Sequence, residues 1–350
     1  MQRIEALVRD VVPAKDLEAD ARLPLKQKKG VERAQAEFLS QYLADPQKGM
    51  QLCHAMLLPR PESLQRFPEY DKAGALELGG ASVRRVGKAA VVTMQNPRYL
   101  NAEDKNTLVP LETCVDLALL DPKTQVCVLR GGVVEHRKYA GRRLFGAGIN
   151  LTHLYEGKIR YLWYLIRDFG LVNKMYRGLA KPEVSPEVDS IEKVWIAAVE
   201  GFAIGGHCQI LLAVDYTIAA SDAYMTLPAR KEGIVPGAAN LRLPRFVGDR
   251  IARQAIMAEL RIDCDSENGR MICDEIVPPA EMDAAIERTV EKLTGSGVVS
   301  AASNRRCFRI EQEPLDAFRR YMAVYAREQA HCHFSPALVS NLEKNWKVQQ

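Results

Sequence analysis

The sequence lacks any apolar run long enough to cross a membrane, which excludes an integral membrane protein built from helices. Residues 1–21 carry too many charges for a secretory signal peptide. The formal net charge is only +4, which suits a small anionic ligand and falls short of the basic footprint of a nucleic-acid-binding protein. Internal repeats and low-complexity segments are absent too. We therefore expect a soluble cytoplasmic protein that associates with neither membrane nor nucleic acid.

Paired cysteine motifs are also missing. The eight cysteines are scattered without a C-x-x-C pair, as expected of reduced thiols in a cytosolic protein. Only His331, Cys332 and His333 form a cluster of metal-ligand types. Adjacent residues rarely converge on one ion, and no second cluster completes a tetrahedral set. We interpret this cluster as structural or incidental and expect no metal.

The 350 residues divide into three regions by their patterns. Residues 1–77 have helical periodicity and form an N-terminal helical extension, which we expect to be closed by prolines at positions 59, 61 and 68. Residues 78–280 alternate strands and helices, which predicts an α/β sheet with parallel crossovers. A helix over 101–120 has Asn101 as its possible cap. Residues 281–350 form a C-terminal helical region.

The stretch 194–221 is the most informative part of the α/β region. Its pattern predicts a buried strand, a tight glycine turn, a short buried helix and a second strand. Gly206 should begin the helix, where the helix itself leaves the backbone N–H unused. Such a donor, at the positive end of the helix dipole, suits an oxygen that carries negative charge.

Other glycine motifs fit this turn less well. Gly201 and Gly206 match the ends of a dinucleotide fingerprint, but Ala203 occupies the position of its middle glycine. A phosphate-binding loop requires lysine after the last glycine, and here His207 follows. A packing turn without a ligand remains the alternative on this stretch alone.

A second glycine turn, FGAGINL, precedes the first by a long segment and also enters a helix. The two turns, the strand VWIAAVEG and the loop GIVPG together resemble the crotonase (enoyl-CoA hydratase/isomerase) superfamily over roughly residues 80–280. The resemblance implies a crotonase-like core of repeated ββα units, with C-terminal helices that make a homo-oligomer, a trimer or dimer of trimers. It also implies an oxyanion hole for an acyl-CoA enolate, formed by the N–H groups of Ile149 and Gly206.

The sequence departs from the hydratases of this superfamily at their two water-activating glutamates. The first falls at Gln209, which cannot ionise, and the second at Ala229. Glu232 lies three positions further on and stays a possible substitute. Hydration is therefore disfavoured, whereas enolate stabilisation is retained.

A narrower resemblance is to the aryl-acetyl-CoA dioxygenases of the superfamily, which serve glycopeptide antibiotic biosynthesis through dihydroxyphenylglycine. It rests on the helical extension, the stretch YLNAED, the segment DLALLDP and both glycine turns. It implies conversion of 3,5-dihydroxyphenylacetyl-CoA and O2 to an aryl glyoxylate and CoA, with no metal or organic cofactor. Gln209 would orient the substrate, and Ile149, Leu151 and Ile234 would form an apolar oxygen pocket.

The substrate's two ends require different partners. For the phenol hydroxyls the candidates are Glu103 and Arg167. The alternative for Glu103 is a carboxylate at a helix N-terminus that faces water, and the alternative for Arg167 is an exposed arginine on a helix. Asp168 interrupts the basic pair that the resemblance leads us to expect at Arg167. The candidates for the CoA phosphates are Lys105, His136, Arg142 and Arg143, of which the last three also fit a solvated basic loop.

Two other functional classes stay open on the sequence. One is another acyl-CoA enzyme of the superfamily, a thioester hydrolase or isomerase. The other is a non-catalytic member that binds a partner such as RNA, against which the modest charge argues. The sequence leaves undetermined the ring substitution, the oligomer size and the base that removes the α-proton.

Overall fold

The computed structural model describes residues 2–139 and 141–346. The predicted N-terminal extension is helical, with Pro61 at the first position of its last helix and Pro68 inside it. The expectation that these prolines end the helical region was therefore wrong. Proline is tolerated in the first turn, and the helix ends only at Gly74, in the left-handed conformation with φ 71°. The helices are α1 (Ile4–Leu7), α2 (Ala14–Ala21), α3 (Arg33–Ala44), α4 (Pro46–Leu57) and α5 (Pro61–Ala73).

A seven-stranded sheet forms the centre of the described chain, in the order β1-β2-β3-β4-β7-β9-β12. The first three strands pair antiparallel and the others parallel, so the predicted parallel crossovers are confirmed. Its strands are β1 (Ala75–Glu77), β2 (Ala81–Val86), β3 (Ala89–Met94), β4 (Val126–Gly131), β7 (Val194–Val199), β9 (Tyr216–Ala220) and β12 (Glu275–Val277).

Two small sheets lie beside the central one. One has the order β11-β10-β8 and carries the glycine turn, while the other is the pair β5-β6. Their strands are β5 (Leu179–Ala180), β6 (Ser190–Ile191), β8 (Phe202–Ile204), β10 (Tyr224–Thr226) and β11 (Ile262–Asp263). Strand β7 is buried along its whole length, as its uncharged sequence predicts.

Helices pack on the sheets and continue to the C-terminus of the described chain. They are α6 (Leu108–Leu120), α7 (Leu151–Tyr155), α8 (Tyr161–Ile166), α9 (Asn173–Arg177), α10 (Gly206–Leu211), α11 (Ala229–Glu232), α12 (Ala239–Met257), α13 (Met282–Gly295), α14 (Val298–Gln312), α15 (Leu315–His333) and α16 (Pro336–Trp346). Helix α15 packs on α3, where the Ser40 hydroxyl donates to the Ala323 carbonyl at 2.8 Å. The C-terminal helices thus contact the N-terminal extension of the same chain.

Asn101 does not cap a helix, which corrects the sequence prediction. Helix α6 begins seven residues later, at Leu108, and Asn101 itself has φ 58°. Its side-chain amide donates to the carbonyls of Gly132 and Leu144, at 2.8 Å each. Asparagine tolerates this left-handed conformation, and the two bonds join the end of β4 to the segment before the second glycine turn.

A buried charge network joins the N-terminal extension to the core. The Lys174 ammonium contacts Glu112 at 2.8 Å and Asp116 at 2.7 Å, and all three side chains are fully buried. From the extension, Arg3 donates to Glu112 at 2.8 Å, and the Arg60 backbone N–H donates to Asp116 at 2.7 Å. Burial opposes ionisation of Glu112, but the surrounding cations lower its pKa to about 2. The extension therefore supplies hydrogen-bond donors and positive charge to the buried carboxylates of the core.

Candidate active site

The two predicted glycine turns lie against each other. The Gly146 N–H donates to the Phe202 carbonyl at 3.1 Å, and the Ile204 N–H donates back to Gly146 at 3.0 Å. These bonds place the turn FGAGINL beside β8, just before Gly206 begins α10. A Cβ added to Gly148 would lie 3.3 Å from the Gly206 nitrogen, so only glycine permits this approach.

Two backbone amides at this junction have no acceptor among the described residues. The Glu103 N–H donates to Gly148 at 2.7 Å, and the Asn150 N–H donates to Glu103 at 2.8 Å. Ile149 lies between Gly148 and Asn150 in the chain and makes neither bond. Its N–H has no partner in residues 2–139 and 141–346. The Gly206 N–H is also unpaired there, as expected in the first turn of a helix.

His207, in the turn that begins α10, holds the turn FGAGINL in place, a role that sequence reasoning missed. Its Nδ1 accepts a hydrogen bond from the Gly148 N–H at 2.9 Å. Burial lowers the pKa of His207 to about 4, so the ring is neutral and can accept at this nitrogen. The available signal was a lone histidine directly after the helix-initiating glycine.

Arg167 occupies the centre of a buried polar cluster next to the turns. It lies in a π-helical segment, Arg167–Val172, between α8 and α9, a distortion that is frequent at functional sites. Its guanidinium donates to Glu103 at 2.8 Å, to Asp168 at 3.0 Å, to Gln209 at 2.9 Å and to the Gly206 carbonyl at 2.7 Å. The alternatives of an exposed Arg167 and a water-facing Glu103 are therefore wrong, since each side chain is only 3% exposed.

The cluster leaves one carboxylate oxygen available. Burial opposes the charge on Glu103, but Arg167 outweighs it and keeps the pKa of Glu103 below its usual value. Its Oε1 binds Arg167, whereas its Oε2 has no hydrogen-bond partner among the described residues. Burial raises the pKa of Asp168, the acidic neighbour that interrupts the expected basic pair. Glu103 can thus accept one further hydrogen bond inside the site.

Two cavities meet at the junction. The inner cavity has about 20 Å³, room for roughly one water molecule, and its wall includes Glu103, Arg167, Gln209, Ile234 and Tyr325. The outer cavity has about 380 Å³ and an aromatic wall that includes Tyr99, Tyr139, Phe202 and Tyr224. Ile149 and Glu232 line both cavities.

Glu232 is the carboxylate between the two cavities. It ends α11 and is 3% exposed, and its carboxylate makes no hydrogen bond or ion pair with any described residue, while its backbone N–H donates to the Pro228 carbonyl at 2.9 Å. Burial raises the pKa of Glu232 to about 7, because nothing compensates the loss of hydration of its charged form. Ala229, the position of the absent hydratase glutamate, is buried at the start of the same helix.

The remaining candidates lie at different distances from this junction. Ile234 lines the inner cavity, while Leu151 and His136 line the outer one. Lys105 is exposed and lines neither. Arg143 contacts the Gly131 carbonyl at 3.2 Å and lines a separate cavity beside β2 and β3. The binding roles of these side chains stay predictions.

The histidine-cysteine cluster near the C-terminus has a packing environment. His333 is buried, with its Nδ1 3.3 Å from the Tyr164 hydroxyl, and burial lowers its pKa to about 3. Within the described part of the chain, no group of three or more metal-ligand side chains is arranged to hold an ion. In the same residues, no helix is both long enough and apolar enough to span a membrane.

Residues 85–311 match the family profile described as enoyl-CoA hydratase/isomerase. The chain belongs to this family, and the crotonase fold is the one that the sequence resemblance predicted. The enoyl-CoA hydratase/isomerase structure from Xanthobacter autotrophicus superposes with a TM-score of 0.64 at 20% identity, over 78% of this chain and 96% of that one.

Among curated relatives, the chain is similar to the (3,5-dihydroxyphenyl)acetyl-CoA 1,2-dioxygenase of Amycolatopsis orientalis. The two are 47% identical over 305 residues, which cover 87% of this chain and 69% of that protein. A short-chain-enoyl-CoA hydratase of Clostridium acetobutylicum is 29% identical over 66% of this chain and 81% of that protein. The first match extends well beyond the residues of the family profile, as the predicted resemblance in the helical extension requires.

Proposed function

We propose that this protein is a dioxygenase that needs no metal or organic cofactor and converts 3,5-dihydroxyphenylacetyl-CoA and O2 to 3,5-dihydroxyphenylglyoxylate and free CoA. The observation that carries the proposal is the pair of unpaired amides, Ile149 and Gly206, beside a buried polar cluster with a spare acceptor. The similarity to the Amycolatopsis dioxygenase supports the choice of substrate.

The first step is formation of an enolate. Loss of an α-proton from the thioester leaves negative charge on the carbonyl oxygen, which the amides of Ile149 and Gly206 would bind. One preorganised donor is worth roughly 3 kcal/mol, so two independent donors lower the pKa of the α-carbon by about four. This stabilisation lowers the free energy of the carbanion relative to the bound thioester.

The second step uses molecular oxygen. The delocalised carbanion passes one electron to O2, and the resulting radicals recombine at the α-carbon as a peroxide. The peroxide attacks the thioester carbonyl and expels CoA, and the O–O bond then breaks as the second α-proton leaves. One oxygen atom of O2 becomes the ketone and the other enters the carboxylate. Ile149, Leu151 and Ile234 supply the apolar surface near the reacting carbon.

The aryl ring would enter the inner cavity, where Glu103 Oε2 accepts from one phenol hydroxyl. Arg167 holds both Glu103 and Gln209 in place through its hydrogen bonds. At about 20 Å³ the cavity is too small for a ring, so we propose that binding moves its wall, including the segment 233–237. Substrate closure of this kind is common in enzymes that exclude water.

The CoA part would occupy the outer cavity. Its aromatic wall provides stacking surfaces, and His136 and Arg98 lie along it. Lys105 and Arg143 lie away from this wall and would reach the phosphates only from outside the cavity. We further propose a cytoplasmic homo-oligomer, a trimer or dimer of trimers, because α14 exposes Val299, Phe308 and Ile310.

A second candidate function follows from Glu232. A single buried carboxylate near an oxyanion hole also suits a thioester hydrolase, by activating water, or an isomerase, by moving a proton. Neither reaction consumes O2. Oxygen dependence therefore separates the two candidates from the dioxygenase.

The test is an anaerobic incubation with 3,5-dihydroxyphenylacetyl-CoA followed by an O2 pulse, after a chelator has stripped metals from the protein. We expect no CoA release before the pulse, and release of one CoA per O2 consumed after it. CoA release at the same rate without O2 would instead identify a hydrolase. Activity that returns only when a metal is added back would contradict cofactor independence.

A further inference from the structure

Glu232 has an unusual position for an ionisable side chain. A Cβ added to Gly205 would lie 3.5 Å from Glu232 Oε1 and 3.8 Å from the Gly148 Cα. Gly205 immediately precedes Gly206, so the carboxylate lies beside the residue before one unpaired amide, and it lines the inner cavity together with Ile149 and Gly206. A group bound to those amides would therefore have this carboxylate next to it.

The charged and titratable groups around Glu232 do not form an ion pair or hydrogen bond with its carboxylate. Across the inner cavity, Arg167 directs four of its five N–H donors to Glu103, Asp168, Gln209 and the Gly206 carbonyl. Asp168 and Tyr325 also face this cavity, and the Tyr164 phenol lies close enough that the charge on Glu232 helps to raise its pKa.

Arg98 and His136 line the outer cavity, and the neighbouring cations of α11, Arg230 and Lys231, are paired with Glu259. In the described ranges, no cation lies within ion-pair distance of Glu232. An unpaired carboxylate that is 97% buried costs stability and calls for a reason other than folding.

We propose that Glu232 is the base that removes the α-proton of the bound thioester. The inference rests on the proposed function and assigns the acceptor of the α-proton, a role that the oxyanion hole does not fill. The α C–H bond breaks, its electron pair enters the enolate held by Ile149 and Gly206, and the proton moves to a Glu232 oxygen. No electron leaves the substrate in this step, so it needs no oxidant.

The environment suits this role. A base is most efficient when its pKa is near the working pH, and burial raises the pKa of Glu232 to about 7. Tyr164 and Tyr325 have pKa values raised further above the physiological range, and they stay neutral. Proton transfer to a positioned side chain contributes about 10²- to 10⁴-fold to a rate.

The test measures deuterium uptake at the α-carbon of 3,5-dihydroxyphenylacetyl-CoA in D2O without O2. We expect Glu232→Gln to slow exchange at least about 100-fold, with Glu232→Asp intermediate, while the dissociation constant of the substrate changes little. Exchange at the wild-type rate in Glu232→Gln would overturn the proposal. So would a loss explained entirely by weaker substrate binding.

The pH profile provides a readout that a structural role would not change. The wild-type exchange rate should rise with pH through about 7, because only the carboxylate accepts a proton. This rise should disappear in Glu232→Gln. A rise that persists in Glu232→Gln would contradict the assignment.

Thermal stability provides a control, because Glu232→Gln should raise the melting temperature while it lowers the exchange rate. The folded-state pKa of about 7 lies above the value of about 4.3 in an unfolded chain, so charging Glu232 destabilises the protein as pH rises through this window. Glu232→Gln should therefore melt at a higher temperature than the wild type at pH 8, although it exchanges more slowly. A slow variant that melts lower would point to misfolding instead.

The proposed function and this inference fail separately. If wild-type protein exchanges the α-proton through Glu232 but consumes no O2, the dioxygenase is wrong and the base is right. If O2 is consumed and Glu232→Gln exchanges normally, the base is wrong and the dioxygenase stands.

Discussion

Gly206→Pro should turn over at least about 100-fold more slowly than Gly206→Ala, because losing one oxyanion donor costs about 10²- to 10³-fold. Compared with alanine, proline chiefly removes the backbone N–H at this position, since Gly206 is the first residue of α10, where proline fits a helix. The loss should appear in kcat, because the enolate carries more charge on its oxygen than the bound thioester does.

Gly206→Ala is the matched control. Both substitutions add a Cβ, which would lie 2.4 Å from Glu103 Oε2 and 2.9 Å from Arg167 Nη2, so both displace this pair. Only proline also removes the donor, and the ratio of the two variants isolates the amide. Steady-state kinetics of CoA release measures it, and equal kcat values for the two variants would refute the role of this amide.

Lys174→Met should destabilise the protein by about 3–5 kcal/mol, the usual cost of leaving a buried charge without its partner. Lys174 is fully buried and is the cation shared by Glu112 and Asp116. Burial already raises the pKa of Asp116, which has Lys174 as its nearest opposing charge. Methionine keeps most of the volume, so the loss reports charge and hydrogen bonding. Chemical denaturation measures the free energy of unfolding.

Arg253→Met provides the comparison, because it breaks an exposed i,i+4 pair with Asp249 at 2.8 Å. Solvent screens exposed pairs, so this variant should unfold almost like the wild type. Equal stability of Lys174→Met and Arg253→Met would show that the network joining the N-terminal extension to the core does not contribute to folding.

The glycine turns were predictable because glycine itself marks a sharp turn in the backbone. A Cβ on Gly146 or Gly148 would clash with the neighbouring turn, and Gly205 has a φ of 54°, which favours glycine. Strand β7 was identifiable from its unbroken apolar run. These features depend on local residue type. The place of Gly206 at the start of a helix therefore followed from the local pattern and that of Ile149 from the family resemblance, while the parallel sheet followed from the alternation of strands and helices.

The side-chain partners were not predictable in the same way. Arg167 is directed inward by a π-helical segment that has no sequence signature. Asn101 lies outside the helix that it was expected to cap. His207 and Glu232 become meaningful only when residues distant in sequence are placed beside them. Burial and pairing are tertiary properties, so periodicity alone could not separate a buried Glu103 from an exposed one.

The most direct test of the central claim is the fate of isotopically labelled O2 in the aryl glyoxylate formed from 3,5-dihydroxyphenylacetyl-CoA. The account predicts that both labelled atoms enter each product molecule, one in the ketone and one in the carboxylate, before any exchange of the ketone with water. Product that carries oxygen from solvent alone, formed equally well without O2, would contradict it.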